Sequence, residues 1–110
     1  MTFDHVAIAS DDIAASVSFY QQMFPWTEII DQDATWAIID CRGTKIAFVT
    51  PAEHPPHVAF SVESEEELIA EAEKMGGTIK IHRDRSRSFY TSDPAGNAIE
   101  IVWYPSVEDE

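Results

Sequence analysis

Two segments of the chain repeat one phrase, DHVAIAS at residues 4–10 and PHVAFSV at residues 56–62. Each carries a histidine at the same point, His5 and His57. A third ligand-type residue, Glu100, sits in the middle of the apolar run NAIEIVW. Strand side chains alternate between the two faces of a sheet. Read as strands, the three segments group His5 with Ala7 and Ala9, His57 with Ala59 and Ser61, and Glu100 with Ala98 and Val102. The bulkier Val6, Ile8, Val58, Phe60, Ile99, Ile101 and Trp103 go to the opposite face. Space is thereby left beside each ligand-type group. An unpaired buried charge is costly, so Glu100 is either an ordinary out-facing strand residue or a carboxylate held by a cation. Two imidazoles and a carboxylate suit one divalent Fe, Mn, Zn, Ni or Co ion, with positions left open for substrate. The separations are long, and no compact ligand motif on a single helix chooses between the readings.

The elements that must position these residues repeat as well. Residues 2–9 read as a strand. Ser10, Asp11 and Asp12 offer a helix N-cap and an acidic first turn. Ile13, Val17, Tyr20 and Phe24 then form one apolar helical face, ended by Pro25. TEIID, TWAIID and KIAFVT, rich in β-branched and aromatic residues, predict strands. In the second half PHVAFSV is a strand, and Ser64 with Glu67 is a capping-box signature. Leu68, Ala72 and Met75 give the helical face, which Gly76–Gly77 stops. TIKIH, RSFYTS and AIEIVWY predict strands, with DPAGN as a turn. Each half is therefore β-α-β-β-β. The expectation is one α+β domain over residues 1–110, an internal duplication with modules at about 2–51 and 56–104 and an acidic tail at 105–110.

With 110 residues, 45% apolar, the chain can bury one real core. Its formal charge of −13 argues against nucleic acid and anionic membranes as partners. No apolar run reaches the roughly 18 residues of a membrane helix, and no signal peptide is visible. Cys41 is the lone cysteine, which excludes an internal disulfide and makes the reducing cytoplasm the expected compartment. Four of the seven basic residues, Lys80, Arg83, Arg85 and Arg87, fall within KIHRDRSR. That stretch is either a solvated strand edge or a local attractor for an anionic small molecule. His54 reads as a linker residue, Cys41 as structural, and Trp26, Trp36 and Trp103 as core or dimer-interface anchors. Three tryptophans and six phenylalanines are many for so small a core, which points to a homodimer.

The segments FDHVAIASDDIAASVSFYQQMFPW, PHVAFSV and RSFYTSDPAGNAIEIVWY resemble the vicinal oxygen chelate superfamily. Glyoxalase I, bleomycin-resistance proteins, fosfomycin-resistance transferases, methylmalonyl-CoA epimerase and extradiol dioxygenases belong to it. The resemblance spans about residues 2–104. It implies two βαβββ modules whose curved mixed sheets surround a metal cavity, and it puts the metal ligands at His5, His57 and Glu100. Some members of the superfamily carry a fourth ligand on the last strand of the first module. Here that position holds Ala47, which implies a three-ligand site and weakens a lactoylglutathione lyase reading. A dioxygenase would also need an acid or base near the metal, for which His82, Tyr90 and Tyr104 are candidates. The resemblance thus implies a metal-dependent enzyme acting on a small molecule that chelates through adjacent oxygens, with Glu100 and Tyr90 in catalytic positions. Lyase, isomerase, dioxygenase and transferase chemistries all remain open. The alternative is a non-catalytic module that sequesters a small molecule, as bleomycin-resistance proteins do.

Overall fold

In the computed structural model, residues 1–82 and 84–105 are described, so Arg83 and most of the expected acidic tail lie outside the described residues. The chain divides into two compact units, His5–His57, and Met1–Asp4 together with the chain from Val58 on. Strand β1 (Thr2–Ala9) opens in the second unit and continues into the first.

In the first unit Asp12, in extended conformation, caps helix α1 (Ile13–Met23), its carboxylate accepting from the Ala15 amide at 3.1 Å. The helix stops two residues before Pro25, which disfavours helical backbone in the residue preceding it. Strands β2 (Glu28–Gln32), β3 (Trp36–Cys41) and β4 (Thr44–Val49) follow. The order is β2-β3-β4-β1, with β1 parallel to β4 and the other pairs antiparallel. Ile13 and Val17 pack on Ala37, Ile39 and Phe48, so α1 covers one face of this sheet. Phe24, beyond the helix end, is half-buried. The opposite face carries Ala7, Ala47 and Val49, flanked by Trp36 and Ile38. Ala7 and Ala47 are register partners, and His5 lies two residues back along β1, on their face.

The second unit contains β5 (His57–Val62, from Val58 on), α2 (Glu65–Met75), β6 (Lys80–Ile81), β7 (Arg87–Ser92) and β8 (Ala98–Trp103). Its strands run in the order β5-β8-β7-β6, with the opening of β1 beside β5, where the Ser61 hydroxyl donates to the Thr2 carbonyl at 3.4 Å. The Ser64 hydroxyl caps α2 by accepting from the Glu67 amide at 3.1 Å. Gly76 ends the helix with φ at 71°, a left-handed conformation that costs glycine little. Leu68 and Ala72 pack on Val62, Phe89 and Ile101, placing α2 on the face opposite Glu100. Met75, expected on the buried face, is 41% exposed at the last turn.

TIKIH forms a shorter strand than its pattern predicts. The chain turns at His82, whose amide bonds the Ser86 carbonyl at 2.8 Å, and the Arg85 amide bonds back to the His82 carbonyl at 2.9 Å. Only Lys80 and Ile81 pair with β7; Thr78 and Ile79, before them, lie outside the ladder. In DPAGN the Asp93 carboxylate accepts from the Ala95 and Asn97 amides, and Gly96 takes φ of 88°. Among the described residues no helix is long and apolar enough to cross a membrane.

Candidate metal centre

His5 and His57 meet inside the first unit. Their Nε2 atoms stand 3.2 Å apart and their rings pack edge-on, 5.3 Å between centroids. Both are buried, at 8% exposure each. His57 Nδ1 lies 2.8 Å from the Pro55 carbonyl oxygen. A carbonyl can only accept, so His57 Nδ1 carries a proton and donates it. In the neutral ring Nε2 is then left with its lone pair, facing His5. The sequence reading identified both histidines and missed the Pro55 carbonyl as the group that fixes one of them. The signal was present in PPH, because Pro56 holds Pro55 in extended backbone.

Glu100 lies in the second unit on β8 and is 7% exposed. Antiparallel register sets Tyr90 of β7 directly opposite, so the two side chains share a face. Burial, the charge of Glu100 and a hydrogen bond to it together raise the Tyr90 phenol far above its usual 10. Tyr90 is therefore a hydrogen-bond donor to the carboxylate at neutral pH.

His82 completes this cluster. Its Nε2 is 2.7 Å from the Ser88 hydroxyl and 4.0 Å from Glu100 Oε2. Ser88 is fully buried and lies on the Glu100 face, two residues before Tyr90. The sequence reading passed over Ser88, although the alternation of RSFYTS already pairs it with Tyr90. Tyr104 lies farther along, its hydroxyl donating to Asp4 Oδ2 at 2.8 Å. Its phenol is raised by burial first, then by the charge of Asp4, the hydrogen bond to it, and the charges of Glu100 and Asp84.

The remaining candidates sit elsewhere. His54 is exposed in the turn after β4, its amide bonded to the Thr50 carbonyl. Cys41 is half-buried with its sulfur 3.5 Å from the Thr27 hydroxyl. Trp26 is 46% exposed and carries the Arg42 guanidinium over its ring at 4.5 Å. Arg87 is ion-paired with Glu65 of α2 and lies over Trp103. It therefore belongs to the helix-covered face, opposite to that of Ser88 and Glu100.

The chain belongs to the glyoxalase-like domain family, whose profile matches residues 5–102. Its fold is the α+β fold of the glyoxalase, bleomycin-resistance and dioxygenase superfamily, the vicinal oxygen chelate group. Methylmalonyl-CoA epimerase from Mycobacterium tuberculosis has a similar structure, with a TM-score of 0.74 at 16% identity over 96% of this chain and 89% of that one. A glyoxalase/bleomycin resistance protein/dioxygenase superfamily member from Vibrio splendidus aligns with a TM-score of 0.66 at 14% identity, over 93% of this chain and 99% of that one. Homoprotocatechuate 2,3-dioxygenase from Brevibacterium fuscum gives 0.69 at 18% identity over 91% of this chain, which spans 33% of that enzyme. At such identities these likenesses establish the fold. No curated protein matches the sequence.

Proposed function

We propose that this glyoxalase-like domain is a metal-dependent enzyme in which His5, His57 and Glu100 hold one divalent ion of Fe, Mn, Zn, Ni or Co, and that it acts on a small molecule presenting two adjacent oxygens. The observation that carries the reading is the imidazole pair. Two nitrogens bound at about 2.1 Å to neighbouring positions of one ion stand roughly 3.0–3.4 Å apart. The 3.2 Å between His5 and His57 Nε2 falls in that span. Second, His57 is held in the tautomer that a metal ligand needs by a hydrogen bond to a backbone carbonyl, a common outer-shell device. Third, each of the three residues is buried and offers one ligand atom, and a buried carboxylate is stabilised by a cation.

A bound ion supplies Lewis acidity, stabilising negative charge that develops on a substrate oxygen. The chain's own residues do the rest. Pro55 orients His57. The Tyr90 hydroxyl orients Glu100 from the opposite strand. Ala7 and Ala47, beside each other on the His5 face, leave room that larger side chains would fill. Because alanine offers no ligand atom, Ala47 adds none to the set. The lone Cys41 fits work in a reducing cytoplasm.

Protein purified without a histidine tag is expected to hold about one divalent transition metal per chain by elemental analysis. Retention should fall on acidification, because a protonated imidazole has no lone pair to give a metal. No bound metal after anaerobic reconstitution would refute the reading and leave a non-catalytic binding module in its place. We further propose a homodimer, supported by the exposed Phe19, Met23, Trp26, Ile29 and Ile30 of the first unit. Sedimentation as a single species of 12.3 kDa at micromolar concentration would refute the dimer.

A further inference from the structure

We infer that Lys80 makes the β6 edge of the second unit an anion-recognising lip, so that the substrate is a small molecule carrying a carboxylate or phosphate in addition to its two chelating oxygens. The inference rests on the proposed metal site and narrows the substrate class for it.

Register places the lip. Lys80 pairs with Ser88, and Ser88 pairs with Val102, so Lys80 shares the face of Val102 and Glu100. His82, two residues on from Lys80, belongs to the same face by alternation. That side chains from this edge cover the face is shown by His82 itself, whose Nε2 comes within 4.0 Å of the Glu100 carboxylate. The Lys80 row meets β8 at Val102, nearer to Glu100 than the row that His82 extends. Between Lys80 and Glu100 stands the small Ser88. Strands lie about 4.8 Å apart and rise about 3.3 Å per residue, so two strands across and two residues along separate the Lys80 and Glu100 Cα atoms by roughly 12 Å. A small organic acid spans that gap once both side chains extend into it.

Charge supports the same reading. Net charge is −13, so an anion is repelled at long range and needs a local cation to stay. Arg42 stacks on Trp26, and Arg87 is committed to Glu65 on the opposite face. Lys80 is exposed and, among the described residues, makes no ion pair. It is thus a free cation on the Glu100 face.

Co(II)-loaded protein titrated with glycerate, malate and 3-phosphoglycerate tests this, read by the cobalt spectrum. All three probes share a 2-hydroxy acid. Malate adds a carboxylate and 3-phosphoglycerate a phosphate, so the two arms tell which oxyanion is preferred. At least one is expected to bind roughly fivefold tighter than glycerate, the scale of one partly exposed charge pair. Lys80→Met keeps the apolar stem and should abolish that preference, leaving cobalt stoichiometry and glycerate affinity unchanged. Equal binding of all three probes by the parent, a preference that survives in Lys80→Met, or no binding of any probe to cobalt-loaded protein overturns the inference while the metal site stands. Failure to take up cobalt overturns the proposed function itself.

Discussion

Replacing Glu100 by Gln separates a site carboxylate from a structural one, because the two predict opposite signs. Gln has the same shape and keeps an oxygen that can accept from the Tyr90 hydroxyl. What it removes is a negative charge that is 7% exposed. In metal-free protein that charge faces a neutral phenol donor, with the His82 ring nitrogen at 4.0 Å. Weakening a charge-assisted hydrogen bond to a neutral one costs about 1 kcal/mol. Relief of burying the carboxylate returns more, since an effective penalty of several kcal/mol per ion is usual. The metal-free variant should therefore be more stable than the parent by roughly 1–3 kcal/mol, a rise in Tm of about 4–12 °C for a chain of this size. Metal affinity should fall at least about a hundredfold, because the amide brings no charge to the ligand set. A third readout does not depend on metal. Two of the three causes that raise the Tyr90 phenol are the charge of Glu100 and the hydrogen bond to it. Tyrosinate absorbance should accordingly begin at lower pH in Glu100→Gln. Calorimetry with and without Co(II), equilibrium dialysis and an ultraviolet pH titration give the three numbers. A variant that is less stable without metal yet binds metal as the parent does would show that Glu100 is a structural carboxylate.

Ala47→Glu buries a carboxylate beside Ala7 on the His5 face, so metal-free protein should lose roughly 3–5 kcal/mol. Added Co(II) should restore much of it; a melting temperature equally low with and without cobalt would place residue 47 away from any ion. Gly77→Ala sets a methyl carbon 2.3 Å from Phe89 Cδ2 and 2.9 Å from its Cγ. Phe89 is fully buried, so about 1–3 kcal/mol should be lost to overpacking, and an unchanged Tm would show that the ring can move aside. Asp93 is held below its usual 3.8 by hydrogen bonds from the Asn97 side chain and from the Asn97, Ala95 and Gly96 amides. Its turn is therefore supported by the carboxylate above that pH and loses the support as pH falls through the lower folded value. Carboxyl-carbon NMR should find Asp93 titrating below 3.8; a value at or above it removes the effect, and Asp93→Asn should flatten it.

The first strand, both helices, the turn chemistry and the side of each strand facing His5, His57 and Glu100 are legible in the sequence. Each of these is set by interactions within a few residues: alternation along a strand, the Asp12 and Ser64 caps, Pro25 after one helix and Gly76 after the other. Tyr90 and Ser88 share the face of Glu100 by the same alternation, and the antiparallel pairing of β7 with β8 converts that parity into contact. Other features depend on which segments the fold sets side by side, and no local pattern states that. TIKIH alternates like a full strand, but only Lys80 and Ile81 find partners on β7, and Thr78 and Ile79 stay outside the ladder. KIHRDRSR reads as either a solvated strand edge or a local attractor for an anion, and tertiary packing sends Arg87 to Glu65 on the helix side and leaves Lys80 on the other face. The 3.2 Å between two rings 52 residues apart, and the Pro55 carbonyl that fixes the tautomer of one of them, are likewise products of the folded chain. Residue types and their periodicity determine which side chains could serve as ligands. Their separation and protonation are decided by atoms distant in sequence, because a metal site is defined by positions to within a few tenths of an ångström and a strand pattern fixes a side chain only to a face.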